Sequence, residues 1–290
     1  MKIILAQHFG ICFGVRDAIA QAEQLAAAGP LTILGELVHN PIVRERLRAK
    51  GVAEGSLDSP ESEITPDVMI TAHGASDLRR EEWKAAGYRV ADGTCPLVHH
   101  AHARLRELVA AGYFPVVIGQ PGHVEVRGLT EDFPGAVVIG SAADIARLPH
   151  RTHLGIVSQT TQPIDRVREL VLAIRAARPG SEVRFVDTVC KPTKDRQQAL
   201  QQLVAQADMI VVVGGHASNN TRQLVETCRA AGRRVVHVER AAELDPSDFD
   251  NVAIVGLTAG TSTLLETVES VRTRLSEIAA SRDQGDGLTK

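Results

Sequence analysis

Three cysteines open three copies of one pattern, and that periodicity constrains the chain more than any other feature. Cys12 follows the strand-like KIILAQHFGI, Cys95 follows YRVADGT and Cys190 follows VRFVDTV, and each precedes a helix-like stretch. A histidine stands 27, 28 and 26 residues later, at His39, His123 and His216. A polar residue then ends another apolar run at offsets of 61, 65 and 68, giving His73, Thr160 and Thr258. Cysteine spacings of 83 and 95 residues predict three similar lobes of ordinary domain size. Lobes related by a pseudo-threefold axis would each send one thiol to a shared centre. A metal or metal-sulfur group is the simplest object that needs three thiols there.

Apolar runs such as LTILGEL, VMITA, FPVVIG, HLGIVS, MIVVVG and VAIVGLT alternate with helical periodicity such as RDAIAQAEQLAAAG and RQQALQQLVAQA. The runs are too continuous for half-exposed strands, so they predict an α/β fold of parallel sheets covered by helices on both faces. The expected lobes span 1–93, 94–188 and 189–281, with a polar tail at 282–290. Stretches 54–66 and 244–250, rich in acids, Ser and Pro, read as surface loops within lobes. Ligands of open α/β sheets gather at the carboxyl ends of strands, where all the marked Cys, His and Thr positions fall.

A net charge of −3 argues against a general polyanion binder, and six Phe, two Tyr and one Trp are too few for a nucleic-acid stacking platform. No run approaches the ~18 apolar residues of a membrane span. The N-terminal apolar run is broken by Gly10, Gly14, Arg16 and Asp17, unlike a cleavable signal. Four widely spaced cysteines without an export signal predict reduced thiols and a cytoplasmic location.

Three thiolates admit an iron-sulfur cluster, a zinc site completed by histidine, or a redox trio. Close C-x-x-C pairs typical of structural zinc are absent from the sequence. A cubane ordinarily takes four cysteines, so three leave one iron without a protein thiolate and a coordination position for a substrate oxygen. The other loops suit an anion. His39, His73 and His123 stand where strands give way to helices, so ring N–H groups and helix termini can meet a phosphate. HASNNTRQ adds Ser218, Asn219 and Asn220, and LTAGTST adds Thr258, Gly260, Thr261 and Ser262, although such residues also cap helices. Glu125, two residues after His123, is the carboxylate placed to relay a proton. The run HHAH at 99–102 reads as an exposed or supporting helix face, and Cys228, without a counterpart in the other repeats, as a buried structural thiol.

Together GICFGVRDAI, GELVHNP, TAHGAS, DGTCPLV, GHVEVRG, SQTT, SNNTRQL and LTAGTST, which run over essentially the whole chain, resemble the 4-hydroxy-3-methylbut-2-enyl diphosphate reductase family of the non-mevalonate isoprenoid pathway. The resemblance implies a trefoil of three α/β lobes around an oxygen-sensitive 4Fe-4S cluster held by Cys12, Cys95 and Cys190. It implies a diphosphate pocket of His39, His73, His123, Ser218, Asn220 and Ser262, with Thr160 near the substrate hydroxyl and Glu125 heading the proton relay. The implied reaction is a two-electron reductive dehydroxylation of an allylic diphosphate to isopentenyl and dimethylallyl diphosphates, with ferredoxin or flavodoxin as electron donor. The chain departs from the family pattern at Lys191, Pro192, Lys194 and Asp195 of CKPTKDRQ, at Val124 of HVEV and at His216 of HASNNT. Those changes leave room for a paralogue acting on another phosphorylated or allylic alcohol. A non-enzymatic cluster-bearing sensor and a zinc-stabilised structural protein are the remaining alternatives.

Overall fold

Twelve short strands form among the described residues, and every pairing between them is parallel. The computed structural model describes residues 1–58, 60 and 65–285. Along the chain the elements begin β1 (Lys2–Leu5), α1 (Phe13–Ala28), β2 (Leu31–Leu34), α2 (Pro41–Ala49), β3 (Ala53–Gly55), β4 (Asp67–Ile70), α3 (Asp77–Ala85) and β5 (Arg89–Asp92). They continue with α4 (Pro96–Ala110), β6 (Phe114–Ile118), α5 (Val124–Glu131), β7 (Val137–Ile139), β8 (His153–Ser158), α6 (Ile164–Ala177) and β9 (Glu182–Phe185). The last stretch holds α7 (Lys191–Gln206), β10 (Met209–Val213), α8 (Asn219–Ala230), β11 (Arg234–Val238), β12 (Ile254–Ala259) and α9 (Leu265–Gly285).

Three four-stranded sheets result, ordered β3-β2-β4-β5, β7-β6-β8-β9 and β11-β10-β12-β1. Their orders correspond strand for strand, which puts the threefold repeat of the sequence into backbone terms. One boundary differs from the expected 1–93 lobe: β1 joins the last sheet, with Lys2 opposite Ile254 and Leu5 opposite Leu257. The reason is packing. Ile3 and Leu5 lie against the core of Val255, Leu257, Val268 and Val271, while Ile4 faces the opposite cluster with Ile210 and Leu203. The cysteine therefore closes each sheet rather than opening it.

Contacts gather the chain into two compact units. One comprises Met1–Cys12, His39–Pro41 and the chain from Lys191 onward. Its sheet alternates side chains between two faces, as a strand must. Val211 and Val213 meet Val268, Val271 and Leu275 of α9, and Ile210 and Val212 meet Leu200 and Leu203 of α7 and Leu224 of α8. Every residue of β10 is buried, which is why MIVVV reads as continuous rather than alternating. α9 continues to Gly285, past the start of the expected tail at 282; residues 286–290 lie outside the described residues.

The second unit holds Phe13–Val38 and Ile42–Cys190, with the other two sheets. Val116, Ile118 and Ile156 pack on Val167, Val171 and Ile174 of α6, and Val117 and Val157 on Leu105 and Leu129 of α4 and α5. Trp83 of α3 is buried against Val68 and Ile70. Polar contacts join these layers at the start of α3. The Asp132 carboxylate accepts the amides of Asp77 and Leu78 at 2.8 and 3.0 Å, and Ser76 donates to Glu131 at 2.9 Å. Acids at the end of α5 thus satisfy amides that the first turn of α3 leaves open. The expected loop 54–66 falls partly outside the described residues.

Candidate active site

Each cysteine of the repeat is held in the same way. Cys95 donates its amide to Ala72 O at 3.1 Å, Cys190 to Thr160 O at 2.9 Å and Cys12 to Thr261 O at 3.0 Å. The accepting residue lies two positions beyond the end of β4, β8 or β12, and a helix begins immediately after each cysteine. The thiols are therefore fixed at helix starts by the neighbouring strand's terminal loop. All three are unbridged by disulfides and partly exposed, whereas Cys228 is fully buried. Burial pushes the Cys228 thiol up to about 12, consistent with a structural role. Gly14 of α1 lies so close to Cys95 that a Cβ there would collide with Sγ.

In the second unit the loop after β6 carries His123 and leads into Glu125. His123 caps α5, its Nδ1 accepting the Glu125 amide at 3.1 Å. His73 meets it edge-on, with centroids 5.6 Å apart. Glu125 is 2% exposed, and its Oε1 accepts the Thr160 amide at 2.6 Å. Burial raises its carboxyl to about 7, against the opposing effect of hydrogen bonds from the Thr160 amide and hydroxyl. The Thr160 backbone joins the acid to the thiol loop: its N–H donates to Glu125 and its C=O accepts from Cys190.

The first unit repeats this connection with different chemistry. Ser218 caps α8 by accepting the Thr221 amide at 3.4 Å, and Asn220 Oδ1 accepts the Thr261 amide at 2.9 Å. Thr261 O in turn holds Cys12. Asn220 Nδ2 is buried and has no hydrogen-bond partner among the described residues. Ser262 donates to His39 O at 3.4 Å, and Asn40 Nδ2 donates to Ser262 O at 2.6 Å. Asn219, also buried, follows the Ser218 cap as the first residue of α8.

Two registers of the sequence pattern shift. The counterpart of His123 is Ser218 rather than His216, because both stand four residues past the glycine that ends the preceding strand and both cap the next helix. The counterpart of Thr160 is Thr261 rather than Thr258, which is buried within β12. Cysteine-based offsets missed this because the intervening loops differ in length. His216 is exposed; its amide donates to Glu239 at 2.8 Å and its ring lies on that of His237, with centroids 4.1 Å apart. Lys191, another departure, is exposed and pairs with Asp195 at 2.7 Å. The HHAH run divides: His99 and His100 are exposed, but His102 is buried and its imidazolium disfavoured, to about 4.

Residues that pattern reading passed over complete the loops. Gln159 Oε1 accepts the Gln120 amide and Gln162 Nε2, both at 3.0 Å, binding the SQTTQ loop to the one bearing His123. Thr188 Oγ1 accepts the Ser158 amide at 2.8 Å, two residues before Cys190. The signal for both was their place beside SQTT and DTVC rather than any charge.

A family model described as LytB protein matches residues 3–276. A 4-hydroxy-3-methylbut-2-enyl diphosphate reductase of Geobacter metallireducens is 38% identical over 285 residues, covering 97% of this chain and 99% of that protein. The protein of the same name from Pelobacter propionicus is 37% identical over 281 residues, covering 96% and 99%. Among solved structures, the E-1-hydroxy-2-methyl-but-2-enyl-4-diphosphate reductase of Plasmodium falciparum superposes with a TM-score of 0.87 at 27% identity, covering 94% of this chain and 87% of that one. A structure titled as the terminal enzyme of the non-mevalonate pathway is 33% identical, with a TM-score of 0.68 and coverage of 96% and 100%.

Proposed function

The chain belongs to the LytB protein family, and from that premise we propose that it is an oxidoreductase converting 4-hydroxy-3-methylbut-2-enyl diphosphate to isopentenyl and dimethylallyl diphosphates. The observation that carries the reading is the buried Glu125 carboxyl, raised to about 7 and tied through the backbone of one residue, Thr160, to Cys190. The reaction replaces a C–O bond by a C–H bond: two electrons and two protons enter, and water leaves.

Cys12, Cys95 and Cys190 are the residues that would hold a 4Fe-4S cluster. Their donor chemistry fits: three partly exposed thiols outside any disulfide, each at a helix start, with the absent Cβ of Gly14 leaving space beside Cys95. When bound, the cluster supplies the electrons and a Lewis-acidic iron. The remaining steps belong to side chains. His39, His73, His123, Ser218, Asn219, Asn220, Thr261 and Ser262 receive the diphosphate; Asn220 Nδ2, buried with an unused donor, suits a phosphate oxygen. Thr160 orients the substrate hydroxyl. Glu125 is protonated below about pH 7 and supplies a proton as the C–O bond breaks. A bound dianion raises its affinity for that proton further.

The electron donor in this reading is a small redox protein such as ferredoxin or flavodoxin. Cysteines outside any disulfide suit a reducing compartment, the cytoplasm. No helix among the described residues is long and apolar enough to cross a membrane. The test is anaerobic reconstitution with iron and sulfide, followed by turnover with a strong reductant. The expected result is four irons and four sulfides per chain and formation of both five-carbon products. A fully loaded protein that leaves the substrate unchanged overturns the substrate assignment, and zinc bound without sulfide overturns the cluster.

A further inference from the structure

Arg196 stands six residues after Cys190 on α7, where the other repeats carry Ala18 after Cys12 and Ala101 after Cys95. Both alanines are buried, so this place in the fold accommodates a methyl group twice and a guanidinium once. Arg196 is 6% exposed. A buried guanidinium is costly to desolvate, and the two alanines show that the helix position itself does not demand one.

The arginine is directed at the loop that leads to Cys12. Its Nε donates to Gly10 O at 3.1 Å, Nη2 donates to the same carbonyl and reaches Phe9 O at 3.5 Å, and Nη1 donates to Pro192 O at 2.8 Å. Gly10 has φ +69°, a left-handed backbone that glycine adopts without the steric penalty of a side chain. Its amide donates to Ala259 O at 3.2 Å, and two residues on the Cys12 amide donates to Thr261 O at 3.0 Å. The loop is thus fixed by β12 through its amides and by Arg196 through its carbonyls. Two Cα steps separate Gly10 from Cys12, roughly 7 Å at most. In a protein interior a positive charge hydrogen-bonded to this loop acts on the thiolate the loop carries and on any metal it binds.

Resting on the cluster reading above, we infer that Arg196 is a positioning residue for Cys12, fixing its loop and placing a buried positive charge beside the metal centre so that the reduced form is favoured. The same charge hinders loss of iron, because the thiolate loop stays ordered.

Two variants separate these effects: Arg196→Ala, the residue the other repeats already use, and Arg196→Lys, which keeps charge but not the fork. Each is reconstituted anaerobically and compared with the wild-type chain in iron and sulfide content, rate of iron release to a chelator, and midpoint potential by titration monitored through paramagnetic resonance. Arg196→Ala is expected to release iron at least tenfold faster. Its midpoint should move negative by at least a tenfold change in the reduction equilibrium, about 59 mV for one electron. Arg196→Lys should recover most of the potential but only part of the iron retention. A potential and release rate equal to wild type in Arg196→Ala, with only thermal stability lowered, overturn the assignment and leave a packing role. If Arg196→Ala does not fold, Arg196→Lys decides: iron release at least threefold faster supports the positioning role, and an unchanged rate overturns it. A wild-type chain that binds no iron and sulfide overturns the cluster reading and this inference with it.

Discussion

The loops that follow β6 and β10 are built alike, with different caps, His123 and Ser218, and a different side chain two residues further on. In each, that second side chain accepts an amide from the loop after a neighbouring strand, and the same residue's carbonyl, Thr160 O or Thr261 O, fixes a cysteine. Glu125 fills that position in one loop and Asn220 in the other. A buried carboxyl can exchange a proton near neutrality; the shorter carboxamide of Asn220 cannot, but it offers an N–H donor. The equivalent position in the first repeat is Pro41, which offers neither. In the proposed reading, one scaffold serves proton transfer in one repeat and anion binding in another, and the side chain at this position decides which.

The sharpest way to break this comparison is to make the two loops equal. Glu125→Gln gives both an amide, and turnover should fall about 100-fold or more, with iron content and substrate affinity close to wild type; single-turnover kinetics and equilibrium binding check it, and unchanged turnover removes the distinction. The converse, Asn220→Asp, adds negative charge where an anion should sit. KM should rise about tenfold above pH 7, with kcat less affected, in steady-state assays under anaerobic conditions.

Varying pH sharpens the same contrast. Because Glu125 is raised to about 7, its acid form is present below that value and is lost above it. The logarithm of kcat/KM should therefore fall by about one per pH unit beyond neutrality in the wild type. That limb should be missing from the residual activity of Glu125→Gln. The smallest effect belongs to the caps: Ser218→Ala should lower unfolding free energy by about 1 kcal/mol in denaturant titrations, by loss of the Thr221 amide's partner.

Strand runs and the three cysteine segments were legible in the sequence because parallel, doubly covered strands write continuous apolar stretches. The identity of Glu125 was legible from HVEV, but its function-tuning burial was not, since exposure depends on what α5 packs against. Counting offsets placed His216 and Thr258 in register, where the fold uses Ser218 and Thr261. Loops of unequal length move such registers while the strand ends keep their order. The pairing of β1 with β12 was hidden for another reason. KIIL has apolar residues enough for either neighbouring sheet, and only the complete fold shows which edge is open.

That pairing has a temporal consequence. During synthesis the segment carrying Cys12 emerges well before its amide partner, Thr261, which is translated some 250 residues later. At a ribosomal pace of about 5–20 residues per second, this thiol waits on the order of ten seconds or more for its final neighbours. In the proposed reading, metal loading therefore acts on a polypeptide in which Thr261 has already been made.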